Sequence, residues 1–223
     1  MIEVNLQKEI TNIQMIKNKL SVSLGIKVLL LVSLITIISI KFLDAGIAMR
    51  IMQFLQTVYT LKKATENIPD FLPHFVGLST VFLWVFYFYR LHEKKFDKET
   101  WFLRLAGTVL PIAYLVKTLI KPVFGRTNPR SWLLDNQPLQ FHWFKYWVSS
   151  FPSGHMIVFT ALGTAIIIHY PQYRIPVLIF LFLLGAALVG TDYHFLSDVI
   201  AGTYLGAVTT YSAWILMKKR TVN

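Results

Sequence analysis

Two side chains four residues apart, His194 and Asp198, have the types and the spacing for proton transfer or nucleophilic chemistry. At the start of a helix, a carboxylate four residues after a histidine can accept the imidazole N–H and fix the tautomer of the ring. The other ring nitrogen is then free to act as a base or a nucleophile. The same pair also fits an ordinary helix cap beside an unrelated histidine, so it defines a site only together with other groups.

Two further segments carry groups that suit an anion. Lys121, Arg126 and Arg130 supply fixed positive charge, and the two arginines add forked donors that match the oxygens of a phosphate. Residues 153–155, Ser-Gly-His, begin an apolar run, and the N-terminus of a helix offers free N–H groups and a positive dipole end to an anion. Each segment alone has a plainer explanation, since interfacial cations snorkel to the membrane surface and a Pro-Ser-Gly turn is a good helix start.

The elements that must position these groups are long apolar segments. The chain of 223 residues is 55% hydrophobic and 15% charged, with a mean hydropathy of +0.53, which excludes disorder and contrasts with soluble domains of about 25% charged residues. The basic residues behind its net charge of +11 lie between apolar runs rather than on one patch, which favours a membrane protein over nucleic-acid binding. The absence of cysteine excludes a thiolate nucleophile and a cysteine-based metal site.

Six apolar segments approach the length of about 20 residues that a helix needs to cross a bilayer, and they predict an all-α bundle of six transmembrane helices. The segments are residues 24–43, 71–89, 102–120, 155–170, 175–189 and 197–217. Residues 45–61 have polar groups at helical spacing, which predicts a helix lying in the outer interface. The same residues could equally form a simple connector. Residues 121–152 form the longest polar loop, on the outer face, and the length suits one domain, residues 1–223.

The distribution of Lys and Arg predicts the orientation of this bundle. The basic residues on the side assigned to the cytoplasm fall at residues 8–19, 90–98, 174 and 218–220. Both termini are then cytoplasmic, and the polar segments at residues 121–130, 152–155 and 192–198 all lie on the extracytoplasmic face. Ionisable residues gathered near membrane depth are usually functional, so we expect a site there. A cleaved signal peptide is disfavoured, because about 20 largely polar residues precede the first apolar run.

In their order, these three segments resemble the phosphatase signature of the type 2 phosphatidic acid phosphatase superfamily, a family of integral-membrane lipid phosphate phosphatases. The first part is a cationic segment ending in a proline, the second is Pro-Ser-Gly-His at residues 152–155, and the third is His194 with Asp198. The resemblance covers roughly residues 117–206. It implies a phosphatase without metal or cofactor, in which His194 attacks phosphorus to give a phosphohistidine while Asp198 orients the ring.

The resemblance also implies roles around the reacting phosphate. His155 matches the histidine that protonates the leaving lipid oxygen. Ser153 and the N–H of Gly154 match groups that hold phosphate oxygens, and Lys121 and Arg126 match the cationic positions of the first part. The implied catalytic and phosphate-binding groups thus come from all three segments.

The sequence departs from the family pattern at two positions. The first part usually ends in Arg-Pro, whereas this chain has Asn128 before its proline, and the last part usually carries an arginine where this chain has Leu188. Each missing guanidinium removes a charge-assisted clamp worth roughly a few kcal/mol in the transition state. We expect Arg126 and Arg130 to replace the lost charge, with Asn128 still donating a hydrogen bond to the phosphate.

We therefore expect a lipid phosphatase of the bacterial inner membrane with its site on the extracytoplasmic side. The expected substrates are polyprenyl pyrophosphate, phosphatidylglycerol phosphate or phosphates of the lipid A type, and the expected partners are this lipid and the membrane, without nucleic acid. The sequence leaves open the oligomeric state and two alternatives, a lipid phosphotransferase and a catalytically weak relative that binds or transports an anionic lipid. A bis-histidine haem carrier is disfavoured, because it leaves the cationic segment and Asp198 without a role.

Overall fold

The computed structural model describes residues 23–57, 71–144 and 149–219. The helices in these ranges are α1 (Ser23–Thr57), α2 (Leu72–His92), α3 (Lys98–Phe124), α4 (Pro129–Leu133), α5 (Gly154–His169), α6 (Arg174–Gly190) and α7 (Leu196–Lys219). The described part contains no β-strand, only an isolated bridge between Arg126 and Phe141. This confirms the all-helical class for that part of the chain.

The lengths of these helices bear on how the chain crosses a membrane. Five of the described helices, α1, α2, α3, α6 and α7, are long and apolar enough to span it, which supports the predicted multi-pass membrane protein. α5 is apolar but has 16 residues, a length of about 24 Å against a hydrocarbon core of about 30 Å. The predicted count of six transmembrane helices is therefore not confirmed, and both chain ends lie outside the described residues.

The interfacial helix predicted over residues 45–61 is not confirmed either. Residues 45–57 continue α1 after a π-helical turn at Ser39–Leu43 instead of forming a separate helix, and residues 58–61 lie outside the described ranges. Within this continuous helix Asp44, at the end of the π-helical turn, is buried and accepts hydrogen bonds from Ser197 of α7. The polar group at this position therefore faces the bundle and not the membrane interface.

α5 lies at the centre of the bundle and packs against α3, α6 and α7. Its buried residues Ile157 and Ala161 join residues of α2 and α3 in the main apolar core. The contact with α7 is close because α7 carries Gly202 and Gly206, and a Cβ added to Gly202 would lie 2.5 Å from the Ser153 carbonyl oxygen. Small residues four apart let two helix backbones approach closely. This packing places the starts of α5 and α7 side by side.

Local signals set the end of α3 and the start of α5. α3 ends at Gly125, whose φ of 52° and ψ of 38° place it in the left-handed region that glycine adopts without strain. The chain therefore turns sharply before Arg126. Ser153 caps α5 by accepting the Met156 N–H at 3.4 Å, and its own N–H donates to the Asp198 carbonyl oxygen at 3.0 Å. These contacts bring the three polar segments to one end of the bundle.

Candidate active site

The catalytic pair predicted from the sequence lies at that end. The side chains of His194 and Asp198 are buried, with Nδ1 of the histidine 3.5 Å from Oδ2 of the aspartate. Asp198 Oδ2 also accepts the Phe195 N–H at 3.0 Å, which fixes the carboxylate at the start of α7. A distance of 3.5 Å is longer than a normal hydrogen bond, and catalytic hydrogen bonds often shorten only with substrate bound. Asp198 is thus placed to orient the ring through Nδ1, which leaves Nε2 for chemistry.

Burial governs the protonation of His194. Its side chain is 3% exposed, and neither ring nitrogen has a well-formed hydrogen bond with a described residue. Burial lowers its pKa below the usual value, Asp198 opposes this shift, and the nearby charge of Lys121 adds to it. The imidazole is therefore neutral at pH 7, and a neutral ring keeps the lone pair that a nucleophile needs.

His155 faces His194 across the site. It is the second residue of α5, and its ring centroid lies 6.3 Å from that of His194 and 5.5 Å from that of Tyr193, with interplanar angles of 66° and 78°. His155 is only partly buried, whereas His194 is buried. It can therefore exchange a proton with a substrate or with solvent. Two histidine rings at this separation can act on opposite sides of one phosphorus atom.

Arg126 is buried between two carboxylates. Its Nη1 donates to Asp198 Oδ1 at 2.7 Å and to Ser197 Oγ at 2.6 Å, while Nη2 donates to Asp44 Oδ2 at 2.8 Å. The guanidinium also lies 4.2 Å from the centroid of the Phe195 ring. Its Nε has no hydrogen-bond partner among the described residues. The terminal nitrogens thus support carboxylates, and a direct role of Arg126 in holding phosphate stays a prediction.

Asp44 is a site residue that the sequence analysis missed. It lies in α1, is 1% exposed, and accepts the Ser197 N–H at 3.1 Å through Oδ1 and the Ser197 hydroxyl at 2.5 Å through Oδ2. In the sequence, Asp44 directly follows the apolar segment at residues 24–43, so residue spacing does not distinguish it from an ordinary charged residue at the end of a membrane span. The site therefore includes α1, which carries none of the three polar segments.

Arg130 and Asn128, predicted to hold phosphate, contact the protein backbone. Arg130 Nε and Nη2 donate to the Thr191 carbonyl oxygen at 3.3 and 2.9 Å, and its guanidinium lies 5.4 Å from the centroid of the Tyr193 ring. Asn128 Oδ1 accepts the Ser131 N–H at 2.7 Å and caps α4. These contacts shape the loops beside His155 and His194, and phosphate binding by either side chain stays a prediction.

Two lysines of α3 lie near the candidate site, one beside the start of α5 and the other within reach of His194. Lys121 is close enough to His194 for its charge to lower the pKa of that histidine. The Lys117 side chain packs against Gly154, since a Cβ added to Gly154 would lie 2.7 to 2.8 Å from three of its carbon atoms. Its Nζ lies 4.7 Å from the centroid of the Tyr114 ring. Lys117, which the predicted site left out, thus adds positive charge near the N-terminus of α5.

Asp192 is a second acidic residue that the predicted site left out. Two residues before His194, it is 2% exposed with a backbone φ of 51°, and neither carboxylate oxygen has a hydrogen-bond partner within the described ranges. Burial raises its pKa to about 6, and the charge of Arg130 acts against this shift. In the sequence it resembles any aspartate of a turn, so no local signal distinguishes it.

The arrangement suits the transfer of an anionic group. A neutral histidine beside a carboxylate, a second histidine across from it, a helix N-terminus and two lysines near these groups are features that phosphoryl transfer through a histidine uses. Over the part of the chain that the structure describes, no three His, Asp or Glu side chains are grouped so as to hold a metal ion. A reaction without metal or cofactor stays a prediction.

These features define a class, that of helical multi-pass membrane proteins with two histidines facing each other at one end of the bundle. Residues 101–222, more than half of the chain, match the family model of the PAP2 superfamily. The chain therefore belongs to the PAP2 superfamily, which confirms the family predicted from its three motifs. At the level of the family, this membership supports a membrane lipid phosphatase.

One solved structure similar to this chain is the crystal structure of the first transmembrane PAP2-type phosphatidylglycerolphosphate phosphatase from Bacillus subtilis. The two chains are 21% identical, and the match covers 89% of this chain and 96% of that chain with a TM-score of 0.44. A comparison with curated protein sequences finds no match.

Proposed function

We propose that the protein is a membrane phosphatase that hydrolyses a phosphomonoester or a pyrophosphate of a lipid through a phosphohistidine on His194. The observation that carries the proposal is the buried His194, with Asp198 at Nδ1 and His155 across the site. Membership of the PAP2 superfamily supports the same class of reaction. The chemistry then divides into two steps at one phosphorus atom.

In the first step, Nε2 of His194 attacks phosphorus in line with the bond to the leaving lipid oxygen. The N–P bond forms as this P–O bond breaks, and protonated His155 gives its proton to the leaving oxygen. Positive charge develops on the His194 ring, and the Asp198 carboxylate near Nδ1 stabilises it. The products are the dephosphorylated lipid, or a lipid monophosphate from a pyrophosphate, and the phosphohistidine.

In the second step, water attacks the phosphohistidine from the side that the lipid has left. His155, now neutral, takes a proton from this water as the new P–O bond forms, and the N–P bond to His194 breaks. Inorganic phosphate leaves, and both histidines return to their starting states. A lipid hydroxyl in place of water would give phosphotransfer by the same residues, and release of inorganic phosphate distinguishes hydrolysis from this transfer.

The start of α5 holds the phosphate oxygens in this mechanism. The Ser153 hydroxyl and the Gly154 N–H supply neutral donors, and the N-terminus of the helix adds the positive end of its dipole. Lys121 supplies fixed charge nearby, as its effect on the pKa of His194 indicates. Donors fixed in place before the reaction stabilise the charge of the transition state without reorganisation.

Three side chains from the cationic segment, the first part of the signature, complete the proposed phosphate site. The Nε–H of Arg126 is a donor that no described residue uses. Arg130 holds the Thr191 carbonyl, and Asn128 keeps its amide N–H groups while Oδ1 caps α4. Because Leu188 is a buried apolar residue where the family has an arginine, we assign a larger share of the fixed charge to the lysines of α3.

We further propose that α5 is a sixth crossing helix of one membrane domain, with both termini in the cytoplasm and the site on the extracytoplasmic side of a bacterial inner membrane. Ser23 and Asp44 of α1 are separated by about 30 Å of helix, which is the thickness of the hydrocarbon core. The site then lies at one membrane boundary. Lys94, Lys95 and Lys98 mark the other boundary, and the positive-inside rule assigns that side to the cytoplasm.

An outward site fits lipid phosphates of the outer leaflet, among which polyprenyl pyrophosphate, phosphatidylglycerol phosphate and lipid A type phosphates form the test panel. Purified protein in detergent should release inorganic phosphate from at least one of them, and His194→Ala should lower the rate at least about 1000-fold. His92→Ala is the matched control, because this histidine is exposed outside the site. It should keep the wild-type rate.

Two additional measurements sharpen this test. EDTA should leave the rate unchanged, and strong inhibition would contradict a reaction without metal. Transfer of labelled phosphate from the substrate to a second lipid, without release of inorganic phosphate, would identify a phosphotransferase. Binding without turnover in the wild type would contradict the phosphatase and favour a binder or transporter of anionic lipids.

A further inference from the structure

A local change of helical register turns one carboxylate of α1 toward the site. Along the buried face of α1, Ser39 and Asp44 are five residues apart, instead of the three or four of a regular α-helix. The π-helical turn at Ser39–Leu43 accounts for the extra residue, since the Asp44 N–H donates to the Ser39 carbonyl oxygen. Without this turn, Leu43, which is exposed, would occupy the inward position. Single π-helical turns inside α-helices are frequent at functional sites.

We propose that Asp44 is a positioning residue of the active site, which holds Arg126 and Ser197 so that Asp198 stays fixed against Nδ1 of His194. The inference rests on the proposed phosphatase function, because it gives His194 a reaction to perform. Asp44 acts through its neighbours and is not a catalytic residue. Two separate links connect it to Asp198.

The first link is the guanidinium of Arg126, which the two carboxylates share. Nη2 donates to Asp44 at 2.8 Å and Nη1 donates to Asp198 at 2.7 Å. All three side chains are almost inaccessible to solvent, so their charges interact strongly at low dielectric. Loss of the Asp44 carboxylate would leave Nη2 unpaired and draw the guanidinium toward Asp198, where it competes with His194 for the same carboxylate.

The second link is Ser197, which directly precedes Asp198 in the first turn of α7. Its N–H donates to Asp44 Oδ1 at 3.1 Å and its hydroxyl to Oδ2 at 2.5 Å. Nη1 of Arg126 donates to the same hydroxyl at 2.6 Å. A carboxylate that accepts N–H groups at the start of a helix stabilises that helix end. Asp44 therefore ties the start of α7, and with it the Asp198 backbone, to α1.

A residue that only fixed α1 in the bundle would not need to be a carboxylate. The other buried residues of this helix are uncharged, namely Thr36, Ser39, Ala48, Met52 and Leu55. Its charged residues Lys27, Lys41 and Arg50 are exposed. Burying a carboxylate costs more free energy than burying an apolar residue unless the carboxylate is paired with a cation and hydrogen-bonded. Asp44 is the ionisable group that α1 buries, and its partners lead to the catalytic pair.

The test compares Asp44→Asn with Thr36→Val, a control on the same buried face of α1. Asparagine keeps an oxygen for the Ser197 N–H and removes the negative charge. We expect kcat to fall about 10- to 100-fold, which is the size of loss seen when a group that orients a directly acting residue is removed. KM should stay within about threefold of wild type, because Asp44 does not itself hold the phosphate. Thr36→Val should leave both constants unchanged. An unchanged kcat in folded Asp44→Asn protein would overturn the inference.

A double variant tests whether Asp44 acts through Arg126. If it does, adding Asp44→Asn to Arg126→Gln should lower kcat by no more than about threefold beyond Arg126→Gln alone, because coupled residues are not additive. Losses that multiply would show that Asp44 acts on a different group, and they would overturn the proposed route.

A measurement that needs no turnover separates this inference from the proposed function. Titration of the His194 ring nitrogens by NMR in the full-length protein should give a pKa that is lower in Asp44→Asn than in wild type by roughly half a unit to one unit, because a nearby negative charge is lost. Ser197→Ala should shift the pKa in the same direction if Asp44→Asn does not fold. An unchanged pKa would overturn the role of Asp44 even in an active phosphatase. The shift in a protein that releases no phosphate would overturn the proposed function alone.

Discussion

The two ends of the helical bundle each contain an arginine bound by two carboxylates, and the two clusters differ in solvent exposure. At the end opposite the site, Arg90 pairs with Asp97 and, at 2.6 Å, with Glu99, and both acidic side chains are at least half exposed. Arg90 also donates to the Thr100 hydroxyl at 3.2 Å. Exposed pairs of this kind are screened by water and add little to the stability of a fold. This cluster joins the end of α2 to the start of α3.

The cluster at the site uses the same residue types with a different result. Arg126, Asp44 and Asp198 are all buried, so water screens none of the charges. Removing one member of a buried ion pair leaves the other charge uncompensated, which is costly. Burial, rather than the types of residue, therefore distinguishes the strongly coupled cluster at the site from the screened surface cluster at the other end.

The largest expected effect is that of Arg126→Ala. The change leaves two buried carboxylates without their shared cation, so we expect the free energy of unfolding to fall by about 3–5 kcal/mol and phosphate release to be lost. Thermal unfolding in detergent and a phosphate assay measure the two effects. Arg90→Ala is the matched control and should change the unfolding temperature little, because its two acidic partners are exposed. Equal losses in the two variants would contradict the contrast between the ends.

The second prediction concerns the packing of α5 against α7 at the site. In Gly202→Ala the new Cβ would lie 2.5 Å from the Ser153 carbonyl oxygen and 3.0 Å from Met156 Cβ, so the two helices must separate. We expect a loss of about 3 kcal/mol in the free energy of unfolding together with a lower kcat. Gly77 of α2 has nothing within 4 Å of an added Cβ, and Gly77→Ala should change neither. Wild-type behaviour of Gly202→Ala would show that the site tolerates a shift of its helices.

Much of the candidate site could be proposed from the sequence because its groups carry local signals. Ser153 stands at the start of an apolar run, and His194 and Asp198 stand four residues apart at the start of another. Such patterns mark helix starts and motifs before any packing is known. The match over residues 101–222 confirms the family that these motifs indicated. Their meeting at one end follows from the alternation of apolar segments, which brings every second loop to the same side.

The remainder depends on contacts that residue spacing does not show. Asp44 meets Arg126 across 82 residues of sequence. It faces the bundle because the π-helical turn adds one residue to the helical register, whereas a regular period of about 3.6 residues would place Leu43 there. The polar groups that follow at helical spacing predict a separate interfacial helix, whereas the structure places them on the exposed side of the continuous α1. The capping role of Asn128 and the packing of Lys117 on Gly154 likewise become visible only in three dimensions.

The two ends also contain aspartates whose pKa values shift in opposite directions. Burial raises the pKa of Asp192 from 3.8 to about 6, so the folded state loses stability as the pH rises through this interval and the carboxyl ionises. Asp192→Asn removes this ionisation, and asparagine tolerates the φ of 51° at this position. We expect the free energy of unfolding above pH 6 to rise by roughly 2 kcal/mol, with little change near pH 4. Thermal unfolding across this pH range measures the effect, and curves that run parallel for the two proteins would contradict the raised pKa.

The smallest expected effect is that of Asp97→Asn at the exposed end. The hydrogen bond from the Thr100 N–H lowers the pKa of Asp97, so its contribution to stability is present above pH 3.8 and is lost as the pH falls through the lower, folded-state pKa. Asparagine keeps an oxygen that can cap α3. The variant should therefore unfold at nearly the wild-type temperature at pH 7. Below pH 4 its stability should fall less steeply with pH than that of the wild type. Added salt should reduce the difference in unfolding temperature between the two proteins. A loss at pH 7 as large as that of Arg126→Ala would mean that burial is not what separates the two clusters.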